Sequence, residues 1–266
     1  MDGFSKNRPL KIAQWAFAVA AVIFLVAPCL IVIPMSFSAS DFLEFPPRQF
    51  SLRWYETFWN SLTWIQAARA SLATGALTVV FSVPLGTLAA YGMRDMKPKT
   101  KAILGGAMLL PAIVPSILVA IGLFFLLSRI GLVGSLWGVA LGHTALALPV
   151  VFVLMSAAFA KFDRNTQLAA ESLGAGTVRI WKDVIIPQIS GSLIAAAVLA
   201  FVTSLDEVVV AMFISAGENA TLPKVMFSAL RDHIDPTVAA ISSMLILVAL
   251  AAVLVLIKNT GTCAEA

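Results

Sequence analysis

The chain has 266 residues, 60% hydrophobic and 12% charged, with a mean hydropathy of +0.94 and a net charge of +4. Soluble domains carry roughly a quarter of their residues as charges, so this composition excludes an ordinary water-soluble enzyme and describes one integral membrane domain over 1–266. The two cysteines, Cys29 in an apolar run and Cys263 in the tail, imply no disulfide framework.

Six apolar runs are predicted to span as helices: 12–35, 70–91, 102–127, 132–159, 188–215 and 237–257. A hydrocarbon core of about 30 Å needs about 20 helical residues, which each run supplies. The first is too long for a signal peptide and lacks its small-residue cleavage site, so it reads as a retained anchor. The 36–69 connection carries Trp54, Tyr55, Phe58, Trp59 and Trp64, an aromatic group suited to the membrane–water interface. Its functional alternative is a platform for an external partner. The basic 94–101 turn, which holds Pro98, reads as a plain connector. The 216–236 connection holds Glu218, Lys224, Arg231, Asp232, His233 and Asp235. Pro28, Pro34, Pro84, Pro111, Pro115 and Pro149 predict bends among packed helices, because each frees a carbonyl that neighbours must satisfy. Gly105-Gly106, Gly138, Gly142 and Ala195-Ala196-Ala197 allow close helix approach.

Positive charge sets an expected orientation. Twelve of the eighteen Lys and Arg fall on the side of the N terminus: Lys6, Arg8, Lys11, Arg94, Lys97, Lys99, Lys101, Lys161, Arg164, Arg179, Lys182 and Lys258. Arg48, Arg53, Arg129, Lys224 and Arg231 fall opposite, and Arg69 sits at a helix mouth. The positive-inside bias then places both termini in the cytoplasm. The net charge is a topology signal and calls for no nucleic acid.

The longest excursion on the cytoplasmic side is 162–187. Asp163 or Asn165 can cap a helix through Leu173, ended by Gly174 or Gly176. A second short helix is expected over 177–184 with Thr177 as a cap, and Pro187 then opens the next span, where its missing N–H is not needed. Ala169, Ala170 and Ala175 leave a low surface that another protein can approach. The plain alternative is a basic loop kept by the charge bias alone.

Asp206 and Glu207 are the carboxylates well inside an apolar run. They lie about 28 Å beyond Pro187 along a continuous helix, and intramembrane charge is expensive enough to mark a pathway or a pair. Adjacent residues point about 100° apart, so one acid can line a path while the other pairs with Arg69 or His143. Phe201 and Phe213 are candidate cation–π partners for a cationic solute. The structural alternative is an ion pair or a polar break that lets the helix bend. His143 reads as a packing histidine. No phosphate-binding Gly-x-x-x-x-Gly-Lys-Ser/Thr loop and no metal-ligand cluster occurs in the sequence, which has two histidines, so an enzyme is not expected.

The 162–187 segment resembles the EAA loop of ABC importer permeases, whose pattern is Glu-Ala-Ala, three residues, Gly, nine residues, Ile-x-Leu-Pro. This chain has Leu168-Ala169-Ala170, then Gly174, then Val184-Ile185-Ile186-Pro187. The glutamate position holds Leu168, and Glu171 lies one turn later on nearly the same face. Phe50-Ser51-Leu52-Arg53-Trp54-Tyr55, Ser204-Leu205-Asp206-Glu207-Val208-Val209-Val210 and Thr221-Leu222-Pro223 resemble the spermidine/putrescine permease branch. The resemblance implies an all-α, six-helix MetI-like fold in a bacterial inner membrane. It also implies a second permease subunit, cytoplasmic ATPase subunits that use ATP while this chain carries no cofactor, and a periplasmic solute-binding protein. Residues 168–171, Gly174 and Pro187 are then expected to form the ATPase-coupling loop, with the solute a polyamine. Two other classes stand beside this reading. A secondary transporter would carry its own coupling-ion site and repeats, and a membrane assembly protein would explain the loop but not the buried acids.

Overall fold

In a computed structural model the described residues are 8–232 and 234–261, without the side chains of 8–10, 252, 253 and 255–261. Lys6, His233 and Cys263, and the side chains of Arg8 and Lys258, lie outside them. Among the described residues the regular structure is helical, apart from an isolated bridge between Ser38 and Phe50. The chain groups into two units, 1–61 with 229–248 and 62–228 with 249–266.

In the first unit, α1 (Arg8–Met35) runs 28 residues, enough to cross a bilayer. After it, the Tyr55 hydroxyl lies 2.8 Å from Ser36 Oγ, tying the start of α2 (Arg53–Asn60) to the end of α1. The aromatic group predicted to sit at the interface is divided. Trp59 is 65% exposed, whereas Trp54, Phe58 and Trp64 are buried. Those three rings pack inside protein, Tyr55 is half-buried, and Trp59 is the exposed member of the group.

The second unit is built on α3 (Leu62–Met93), α6 (Leu136–Ala160) and α9 (Ile186–Asp206). Their meeting faces are made of small residues. A Cβ on Gly75 would come within 2.7 Å of the Phe201 ring and one on Gly86 within 2.6 Å of Val151, while one on Gly142 of α6 would come within 2.8 Å of Val210, beyond the end of α9. This is how helices associate where lipid provides no hydrophobic drive between them. Of the Gly105-Gly106 pair, Gly105 faces the Phe152 ring, with a Cβ there at an ordinary contact distance of 3.9 Å, and Gly106 faces open space. The core around Ala147, Val151, Met155, Ile185, Ala196 and Ala200 gathers α6, α9 and the turn before it.

The predicted 102–127 span is two helices. α4 (Pro98–Ile113) and α5 (Ser116–Arg129) meet at 101°. Pro115 drives the residue before it out of the helical region, and Val114 is extended at ψ 138°. The run is therefore a broken or re-entrant segment rather than one straight span. Four helices in the described part, Lys11–Met35, Leu62–Met93, Leu136–Ala160 and Thr177–Asp206, are long and apolar enough to cross by themselves. The sixth run forms the last helix, Thr237–Gly261.

The turn into α6 is tight. Ser135 caps it, accepting from Gly138 N–H at 3.0 Å while donating to the Leu132 carbonyl at 2.7 Å. A Cβ on Gly138 would sit 2.1 Å from that carbonyl oxygen. Gly138→Ala is therefore expected to cost about 1–3 kcal/mol and to lower the Tm of the purified protein. An unchanged melting curve would show that the turn relaxes freely.

Candidate functional site

The 162–187 segment folds as a helical corner. Asp163 caps α7 (Arg164–Ser172) by accepting from Asn165 N–H at 2.9 Å. At the other end Gly174 takes φ +80°, a left-handed conformation that glycine adopts at low cost. Gly174 N–H donates to Glu171 O at 2.9 Å and Ala175 N–H to Ala170 O at 3.0 Å. This is the Schellman pair that closes a helix and reverses the chain.

The second arm departs from expectation. Thr177 is not a cap; Gly176 holds that position, and α8 (Thr177–Ile180) continues through a π turn, Trp181–Ile185, into α9. The whole stretch Thr177–Asp206 is one helix of 30 residues. Pro187 explains the π turn: it offers no N–H, and its ring would strike the carbonyl four residues back. Ile186 N–H reaches instead to the Trp181 carbonyl, five residues back. Pro187 thus lies inside a continuous helix rather than opening a new one. The arm outside the apolar run and the spanning helix are one rod.

Between the two arms is a groove of about 340 Å³ lined by Ala170, Leu173, Gly174, Ala175, Arg179 and Val184, among others. Its lining is mixed, with Leu173 89% exposed and Arg179 paired to Asp183 at 3.4 Å, and Val178 and Leu168 are exposed nearby in the sequence, at 83% and 46%. Ala169 and Pro187 are exposed and Ala170 is half-buried.

Glu171, one turn after Leu168, is exposed. Its Oε1 accepts from Gln167 Nε2 at 2.8 Å. Gln167, itself buried, also meets Tyr91 Oη at 3.2 Å and accepts from Arg94 Nη2 at 3.2 Å. The Arg94 guanidinium lies over the Tyr91 ring, 4.5 Å from its centroid. Asp95 pairs with Arg164 at 2.7 Å, and Trp181 rests on Tyr91 with ring centroids 4.7 Å apart. The 94–101 turn is therefore more than a connector, because its first residues hold α7. Gln167 and Tyr91 carry no motif. Only a polar residue on the inward face of α7 hinted at them in the sequence.

The predicted 188–215 span also breaks. α9 ends at Asp206; Glu207 is extended at ψ 110°, and a short helix α10 (Val209–Ile214) follows. Glu207 Oε1 accepts from Val210 N–H at 2.8 Å, so this carboxylate caps α10. Asp206 is exposed at the C-terminal end of α9. Neither acid pairs with His143, whose Nδ1 lies 2.8 Å from Ser204 Oγ, nor with Arg69, which is exposed. Phe201 lies against Gly75, about 140° around α9 from Asp206. Phe213, 37% exposed, belongs to α10 beyond the break. The structure does not gather these four residues at one point. At the far end of α10, the Lys224 ammonium donates to the carbonyls of Ser215 and Met212, a cation at a helix C terminus. Burial holds its pKa below the usual lysine value.

The chain belongs to the family described as the binding-protein-dependent transport system inner membrane component, which matches residues 82–259. Among its relatives, the spermidine/putrescine transport system permease protein PotC of Haemophilus influenzae is 29% identical over 238 residues, covering 90% of this chain and 92% of that one. PotC of Escherichia coli K12 is 28% identical over 244 residues, 92% of each chain. The putrescine transport system permease protein PotI of Escherichia coli K12 is 26% identical over 253 residues, 90% of this chain and 88% of that one. In fold, the chain is similar to a bacterial ABC transporter involved in the import of the acidic polysaccharide alginate. That match has a TM-score of 0.71 at 15% identity and covers 98% of this chain and 99% of that one. The fold class is thus the all-α permease fold, and the chain is a multi-pass inner-membrane transport component, not an enzyme.

Proposed function

We propose that this chain is the permease subunit of an ABC importer for polyamines, driven by ATP hydrolysed on separate cytoplasmic ATPase subunits that dock on the 162–187 loop. The observation that carries the docking role is the loop itself. It holds Leu173 and Val178 almost fully out of the protein, 89% and 83% exposed, beside an open groove. Its second arm is the start of a spanning helix, so a push on Val178 or Arg179 moves the helix directly. Leu168, Ala169, Ala170, Glu171, Gly174 and Pro187 serve the contact or its geometry, and the exposed Glu171 also accepts from the buried Gln167. Both termini are cytoplasmic in this reading, and 1–266 act as one transmembrane domain with a second permease subunit and a periplasmic solute-binding protein.

The polyamine assignment rests on likeness to PotC and PotI over about nine-tenths of the chain. Local chemistry supports it. Asp206 adds a carboxylate to the negative end of the α9 dipole, a place that suits a cation. Membrane vesicles loaded with ATP test both parts. Spermidine uptake that needs ATP, is competed by putrescine, and accompanies co-purification of an ATPase is the expected result. Uptake driven by an ion gradient with no ATPase attached would instead make the chain a secondary transporter. ATP-driven uptake of a different solute would remove the polyamine assignment alone.

A further inference from the structure

Arg94 uses part of its guanidinium and leaves part unused. Nε faces Asp95 at 3.4 Å and Nη2 donates to Gln167, but Nη1 is buried without a partner. A buried guanidinium nitrogen left unpaired is costly, so a partner is expected there. Arg94 also lines a partly open pocket of about 170 Å³ with Lys101, Ser156, Met93, Phe152 and Phe159. Two cations and a hydroxyl meet there on an apolar floor, and the pocket has no acidic wall. Lys97 at the N-cap of α4 and Lys99 in its first turn are exposed, and that turn has no acidic residue and no side-chain cap. The positive end of that helix reinforces the four basic side chains.

A second, apolar groove of about 370 Å³ lies further along the same helices, lined by Leu109, Ala112, Pro149, Val150, Val153 and Leu199, among others. Ala112 is eleven residues from Lys101 on α4, about 16 Å along the helix and on the same face. Pro149 is seven residues from Ser156 on α6, about 10 Å away and again on the same face. α4 buries none of its residues, so the strip stands open along its length.

We propose that this strip is a binding site for one anionic phospholipid. Its phosphate pairs with Arg94 and Lys101, and an acyl chain lies in the Leu109–Leu199 groove. Such basic pockets between spanning helices suit anionic headgroups, and the apolar continuation selects a lipid over a free anion. Because Arg94 also holds Gln167 of α7, the lipid phosphate would brace the loop that the proposed function uses. The site itself stands whether or not that function does.

The test uses the full chain, purified in detergent with any subunits that accompany it and stripped of lipid. Phosphatidylglycerol is expected to raise its Tm saturably, while phosphatidylcholine and millimolar inorganic phosphate do not. Lys101→Gln should weaken the apparent affinity about fivefold, and Ala112→Trp should weaken it by filling the groove. Arg129→Gln, on the exposed end of α5, should leave it unchanged. Equal effects of phosphatidylcholine, or of phosphate alone, would overturn the proposal, as would Lys101→Gln behaving like Arg129→Gln. Should a variant fail to fold, native mass spectrometry of the unaltered protein decides. A phosphatidylglycerol adduct that survives higher activation than a phosphatidylcholine adduct supports the site, and equal survival rejects it.

Discussion

Gly174→Asp is expected to abolish uptake while the protein still inserts and accumulates in the membrane. The fold should survive for two reasons. A Cβ at Gly174 meets nothing within 4 Å, and the residue lies in a loop outside the apolar runs. The local penalty comes from φ +80°, where an L-residue costs about 1–2 kcal/mol. The larger effect is at the surface. The new carboxylate stands between Leu173 and Ala175 on the groove rim, where a docking partner must bury it unpaired, at about 2–5 kcal/mol. That corresponds to a loss of docking on the order of thirty- to several-thousand-fold. Gly174→Ala separates the two terms: it carries the backbone strain without the charge, so its uptake should fall only a few-fold. Normal ATP-coupled uptake by Gly174→Asp would remove the docking role from this loop. Equal losses in both variants would assign the defect to backbone strain.

The parts of this structure that local rules govern were legible in the sequence. The cap and the terminator of α7 follow from hydrogen-bond chemistry within a few residues, and of the two candidates at each end the structure uses Asp163 and Gly174. The places that escaped depend on partners far along the chain or on breaks with weak local signals. Gln167 is held by Tyr91 and Arg94, more than seventy residues away, and no spacing rule connects them. Pro115 announced a bend, but whether a proline bends or breaks a helix depends on what receives the freed groups. Here the chain turns by 101°. The break at Glu207 has neither glycine nor proline. Its signal was an acid directly before a run of three valines, the third of which donates its N–H to that acid at the start of α10. Hydropathy reads straight through that pattern, because Val208 to Ile214 is as apolar as the helix before it.

The break also separates the roles of two adjacent acids. Asp206→Asn is expected to lower the initial rate of polyamine uptake about five- to tenfold. Removing one favourable charge contact with a cation is worth roughly 1–1.4 kcal/mol. Glu207→Gln should transport nearly as well as the unaltered protein, because a glutamine oxygen still accepts from the Val210 N–H that Glu207 holds at 2.8 Å. Glu207→Ala loses that cap, so it should cost about 1 kcal/mol of stability and appear as a lower Tm. If both acids lined the path, Glu207→Gln would lose uptake as Asp206→Asn does, without any fall in Tm. If neither did, Asp206→Asn would transport normally, and the exposed carboxylate would belong to the surface alone. The discriminating measurement is therefore the uptake ratio of the two isosteric variants at a fixed, subsaturating spermidine concentration. The helix break places one acid at an exposed C-terminal end and commits the other to a backbone N–H, and that asymmetry predicts a ratio well below one for Asp206→Asn over Glu207→Gln.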